Sequence, residues 1–224
     1  MNGADRLLVL TSCTGSKAPV ARRAPVRAER LYTGQQHVRL MRGVEEYRRG
    51  SQSFGTLDLR IVSAGHGVVQ ANESLLHYDD TFSGLQKTAL AQRSRELGIP
   101  AQVGSLLADR WQLALVLLGD FYLQAASLST DFNFGGRTLV FASPKAAARF
   151  GATDFLTVVP LDNRHARRFS CGLTSLKGEL ACRLLQRVTR DGETALPQDP
   201  DHVLDWLEDP QIPSSRQSEL QFAA

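Results

Sequence analysis

The chain has 224 residues, 42% of them hydrophobic, which suffices for a sizeable core in one compact domain and argues against disorder through most of its length. A formal charge of +3 admits an anionic partner without demanding one. Cys13, Cys171 and Cys182 have neither C-x-x-C spacing nor an even count, and the five histidines are scattered, so neither a disulfide framework nor a metal site is indicated.

The longest apolar run, residues 113–118, is too short to cross a bilayer, and no basic leader with an apolar core opens the chain. The expectation is a cytoplasmic protein without membrane contact. The sequence organises itself around Leu7, Leu8, Val9 and Leu10, four consecutive aliphatics that read as a strand buried on both faces. The run ends in Thr11, Ser12, Cys13, Thr14, Gly15, Ser16 and Lys17, a turn with hydroxyls, a thiol and a cation. Such a corner suits a phosphate, although its spacing is not that of a Walker A loop.

Residues 18–30 hold Pro19, Pro25 and several arginines and read as an exposed loop. Thr33 and Gln36 stand in capping-box relation and open a helix to about Arg49. A second strand, 57–63, ends in Ser63, Ala64, Gly65, His66 and Gly67. Residues 68–80, with His77, Tyr78, Asp79 and Asp80, show no clean period and read as an irregular functional loop. Ser83 and Gln86 form another capping box for a helix to about Leu97, and Pro100 starts a short one. A strand at 113–118 leaves through Gly119 and Asp120 into a helix ending near Leu128. Strand 138–142 is followed by Ser143 and Pro144, an N-cap and first helical residue.

The strand at 155–159 exits through an arginine-rich loop containing Arg164, His165, Arg167 and Arg168. Leu173, Leu176, Leu180, Leu184 and Val188 then mark an amphipathic helix. The division expected is a single α/β domain over 1–192 and a C-terminal appendage over 193–224, with a short helix at 202–207 and a flexible tail.

Five short strands alternating with helices imply an α/β fold, a Rossmann-like three-layer α/β/α domain with a mostly parallel sheet of about five strands. In such a sheet every polar corner just described follows a strand and falls on one rim, where ligands bind. Cys13 is a candidate nucleophile or a small buried thiol. Gly65 and Gly67 either admit a ligand to the backbone or supply positive φ in a tight turn. Tyr78 with Asp79 offers groups to contact a base or take a proton, or belongs to a solvated loop. Arg22, Arg23, Arg164, Arg167 and Arg168 suit a phosphate backbone, or simply solvate helix faces.

Taken together, Ser12-Cys13 with Lys17, Leu31-Tyr32-Thr33-Gly34, Ser63-Ala64-Gly65-His66-Gly67 and Tyr78-Asp79 resemble a bacterial domain-of-unknown-function family. That family is similar to the catalytic domain of archaeosine synthase and, distantly, to uracil-DNA-glycosylase-like α/β domains. Ser12 stands where the synthase signature has proline, and Gly65 where the family has lysine. The resemblance covers about the first eighty residues. It implies a nucleobase or nucleotide pocket formed by Ser12, Cys13, Lys17, Tyr32, Ser63, His66, Gly67, Tyr78 and Asp79, and the reading of the corner itself adds Gly65 as a place where the ligand meets the backbone. Lys17, Cys13 and Asp79 would be its catalytic groups and nucleic acid or a nucleotide its partner; the residues themselves point to no cofactor and no metal. The rival readings are a non-catalytic nucleic-acid-binding stress or defence protein and a nucleotide sensor.

Overall fold

A computed structural model describes residues 6–50, 55–151, 153–192 and 196–208. Strand β1 (Arg6–Ser12) enters a 3-10 turn (Pro19–Arg22), a short strand β2 (Val26–Arg27), and helices α1 (Ala28–Leu31) and α2 (Gln35–Gly50). Strands β3 (Thr56–Ser63), β4 (Gly67–Gln70) and β5 (Ser74–Leu75) follow, then helices α3 (Lys87–Glu96) and α4 (Ile99–Ala108). The remainder alternates: β6 (Leu113–Leu117), α5 (Asp120–Ala125), β7 (Thr138–Ala142), α6 (Pro144–Ala147), β8 (Leu156–Pro160), α7 (Asn163–Arg168), α8 (Leu173–Asp191) and α9 (Pro200–Leu207).

The main sheet has six strands in the order β4-β3-β1-β6-β7-β8, all parallel except β4, which runs antiparallel to β3. The four aliphatics of β1 explain the layers. Successive side chains of a strand point to opposite faces, so Leu7 and Val9 join Leu40, Val44, Leu180 and Leu184 beneath α2 and α8. Leu8 and Leu10 join Ile99, Val103, Leu107 and Leu123 beneath α4 and α5 on the other side. The result is the expected three-layer α/β fold of Rossmann type. In chain order the five parallel strands lie 2-1-3-4-5, so the winding reverses between β1 and β6, and that gap is the topological switch point.

Local chemistry accounts for several boundaries. Ser143 caps α6 by accepting from the Ala146 amide at 3.1 Å, and Gly192 ends α8 in the left-handed region. Elsewhere tertiary contacts displaced the expectation. The supposed loop 18–30 contains α1 and β2, pinned by buried Ala21 and Ala28, because β2 pairs with β5. Residues 67–70 form a strand, since Gly67 takes φ +78° and turns the chain back onto β3. α2 begins at Gln35 and α3 at Lys87, and no side chain caps α3. α5 and α6 stop at Ala125 and Ala147, earlier than expected. The arginine-rich exit from β8 is helical, because Asp162 and His165 form a capping box at the start of α7.

α9 buries Val203, Leu204 and Leu207 in the same core as α8, and the expected tail beyond Glu208 lies outside the described residues. Among the described residues no helix is long and apolar enough to cross a membrane.

Candidate functional site at the switch point

The Cys13 amide donates to the Val62 carbonyl at 2.9 Å, continuing the β1–β3 ladder to the rim. There β3 turns at Ser63, whose hydroxyl accepts from the amides of Gly65 (3.2 Å) and His66 (3.1 Å) and donates to the Tyr78 hydroxyl at 2.7 Å. Tyr78 in turn meets the Tyr32 hydroxyl at 2.8 Å. Tyr32 is held by an antiparallel bridge to Lys17, whose Nζ lies 4.2 Å from the Tyr78 ring centroid, a cation–π contact. His66 packs edge-on against the same ring at 4.8 Å. Four residues from three chain segments, Lys17, Tyr32, and Ser63 with His66, thus surround Tyr78.

The two glycines of the turn serve different ends. A Cβ on Gly65 would sit 2.7 Å from the Tyr78 ring, so the missing side chain makes room for Tyr78. Gly67 supplies the positive φ of the hairpin.

Across the switch point, Cys13 Sγ lies 2.9 Å from the Tyr122 hydroxyl on α5. The same gap is tied from the other side of the sheet. The Gln36 amide donates to Thr11 Oγ1 (3.3 Å) and to the Leu117 carbonyl (3.1 Å), so its long-range partners replace the expected capping box. Lys177 Nζ donates to the next carbonyl, Leu118 O, at 2.5 Å. Both side chains reach that point because α2 and α8 cross closely at Gly43 and Gly178.

Burial pushes the Tyr32 phenol up to about 12, with Cys13 adding to the rise. Burial, then the neighbouring Cys13, also raise Tyr78 and Tyr122 above the ordinary tyrosine range. All three phenols therefore stay protonated at neutral pH and act as hydroxyl donors. Lys177 is driven the other way. Burial lowers its ammonium to about 8, against the opposing pull of the Asp120 carboxylate. Asp120 itself accepts from the Ser143 hydroxyl at 2.7 Å.

The anticipated residues do not all meet. Ser12, Cys13, Lys17, Tyr32, Ser63, Gly65, His66, Gly67 and Tyr78 gather at the ends of β1 and β3. Asp79 adjoins them in sequence, but its side chain is 87% exposed and 3.7 Å from His77 Nε2. Arg22 and Arg23 are exposed on the turn that follows Lys17. Arg164 is paired with Asp162 at 2.9 Å, which holds that carboxyl down to about 2. Arg168 is paired with Asp205 at 2.7 Å and with Glu208, while Arg167 is exposed. The basic patch after β8 is therefore substantially neutralised by the chain's own carboxylates.

Tyr122, Gln36, Asp120, Ser143 and Lys177 were not among the anticipated site residues. Three of them follow strands directly, in the corners at 119–122 and 143–145. Lys177 with Gly178 reads as the opening of the amphipathic helix, where free amides hold an anion or simply begin a helix. α8 instead starts at Leu173, and Lys177 lies within it. Among the described residues no cluster of His, Cys, Asp or Glu could hold a metal ion. Compared with known proteins, the chain matches no family model, no curated protein and no solved structure.

Proposed function

We propose that the chain is an enzyme acting on a nucleobase or its N-glycosidic bond, in nucleic acid or in a nucleotide. The observation that carries this reading is the polar floor across the switch point: Ser63, Tyr78 and Tyr32 joined on one flank, Cys13 with Tyr122 on the other. In α/β sheets of this winding the ligand crevice lies there. The Ser63–Tyr78–Tyr32 hydroxyls are joined to Cys13 through Tyr78, so donors and acceptors are fixed in one connected set beside the ring. Planar rings beside fixed donors suit a base, which is read by stacking and by hydrogen bonds to its edge.

Lys17, at the mouth, would hold a phosphate, with Arg22, Arg23 and Arg167 following the backbone of a longer substrate. The turn from Ser63 to Gly67 would frame the base. Asp79 would stabilise an oxocarbenium-like sugar or accept a proton. Because an exposed carboxylate acts weakly through water, that role requires the substrate to cover it. Cys13 would serve as the nucleophile if a covalent base or sugar adduct forms.

The test is release or exchange of bases from RNA, DNA and nucleotides, followed by mass spectrometry. Lys17→Ala and Asp79→Ala should each lower turnover, by about tenfold to a thousandfold for groups of this kind. Full turnover in both variants overturns these assignments. Heat stabilisation by free nucleotides, but not by oligonucleotides, would restrict the substrate to the former.

A further inference from the structure

Beyond the residues of that reading, the β6 and β7 flank of the same crevice carries a second polar group formed by Lys177, Asp120 and Ser143. Lys177 is half-buried with its amine turned inward, and Leu118 O is its hydrogen-bond partner among the described residues. An ammonium has three donors, so two N–H groups remain after that bond. Asp120 lies beyond ion-pair distance but near enough to act on the charge, and Ser143 Oγ donates to Asp120 Oδ2 at 2.7 Å. Between Leu118 and Asp120 stands Gly119, where an added Cβ would meet the Tyr122 ring at 3.9 Å and nothing nearer. Gly119, Asp120, Ser143 and Lys177 are each partly exposed, so the end of β6 is open to solvent at this group.

We propose that Lys177 is an imine-forming amine whose substrate is the aldehyde of an open-chain pentose, as left when a base is removed from its sugar. This deepens the function proposed above and rests on it for the source of the sugar. The neutral amine attacks the aldehyde carbon, forming the C–N bond as the C=O π pair moves to oxygen. Asp120 carries one proton from the resulting ammonium to the alkoxide, giving a carbinolamine, and then passes the remaining N–H proton to the hydroxyl as it departs as water. Amine plus aldehyde gives imine plus one water, and hydrolysis reverses the step.

The amine suits the task. With its ammonium lowered to about 8, on the order of a tenth is free base at pH 7, against well under a hundredth for an ordinary lysine. Its bond to Leu118 O fixes the direction of the nitrogen, and Gly178, the next residue, lets α8 pack directly against α2 at Gln36.

The chain contains four lysines, Lys17, Lys87, Lys145 and Lys177, so a covalent adduct is readily mapped. The protein is mixed with ribose 5-phosphate, or with a single-stranded oligonucleotide carrying one abasic site, and reduced with borohydride. Peptide mapping should find the secondary amine on Lys177. Lys177→Arg should lower the adduct at least tenfold, while the Lys87→Arg/Lys145→Arg double variant should retain it. No borohydride-dependent adduct, or an adduct confined to Lys17 or the terminal amine, overturns the proposal in the unaltered protein, whatever the folding of the variants. Trapping on Lys177 without base release from any nucleic acid or nucleotide would uphold the amine and overturn the function it was built upon. Base release without trapping would do the reverse.

Discussion

A Cβ on Gly178 would stand 2.1 Å from the carbonyl oxygen of Gln36, so α8 and α2 touch there backbone against backbone. That contact sets Gln36 and Lys177 side by side, and their side chains take the consecutive carbonyls of Leu117 and Leu118 at the end of β6. Gly178→Ala forces backbone against backbone. It should destabilise the fold by about 3 kcal/mol or more, at or beyond the usual range for overpacking. Urea denaturation measures it, and a change below about 1 kcal/mol would show that the helices part at little cost.

Tyr78 is the hub of the hydroxyl relay, whereas Tyr32 is at its end. Tyr78→Phe removes both bonds and strands two partners, while Tyr32→Phe removes one. The first should cost about 1–3 kcal/mol and the second less. Thermal denaturation of the pair decides the order, and a larger loss for Tyr32→Phe would mean that the relay does not centre on Tyr78.

Alkaline titration offers an independent view of the same cluster. Tyr32 is raised to about 12 in the fold from an ordinary value of 10.0. Its protonated form is favoured by folding, so its contribution is fully present below pH 10 and disappears as the pH climbs toward 12. Tyr78 and Tyr122 shift in the same direction. Phenolate absorbance near pH 10–11 should therefore fall short of the value for four free tyrosines until the protein unfolds. Full ionisation of a still-folded chain by pH 10.5 would contradict the burial of these hydroxyls.

The charge on Lys177 works against folding at neutral pH. Its ammonium falls from 10.5 to about 8, a penalty of about 3 kcal/mol that is complete below pH 8 and vanishes as the pH rises to 10.5. Lys177→Met removes that penalty but leaves Leu118 O without its donor, a loss of about 1–3 kcal/mol. The stability of the variant relative to the parent should accordingly decline between pH 8 and pH 10.5. Tyrosine ionisation is common to both proteins and cancels in the comparison. A difference that does not vary with pH would mean that the amine has an ordinary affinity for protons.

How much of this was visible in the sequence depends on the range of the interaction. Leu7 to Leu10 announce a doubly buried strand because alternation and hydrophobicity act within a few residues, and Ser143 with Pro144 announces a helix start for the same reason. The T-x-x-Q spacing at Thr33 and Gln36 looks equally local. Yet the Gln36 amide binds Thr11 and Leu117, since a strand order the sequence does not spell out brings both within reach. The Cys13–Tyr122 contact spans 109 residues and likewise depends on β1 lying beside β6. The short β4 escaped notice because two valines between glycine and polar residues are too few to show a period, and pairing with β3 makes them a strand. Arg168 reads as part of a basic surface because its acidic partners, Asp205 and Glu208, lie about forty residues away in sequence.

The hairpin from β3 to β4 places one segment in two positions at once. Ser63 to Gly67 is the rim that meets Tyr78 and also the bend on which the outermost ribbon of the sheet hangs. Anything that grips Ser63 or the His66 amide therefore steadies the border strand as well. By mass action, a ligand held by that turn in the folded chain alone would also hold the border strand in place and guard its edge against stray strand pairing.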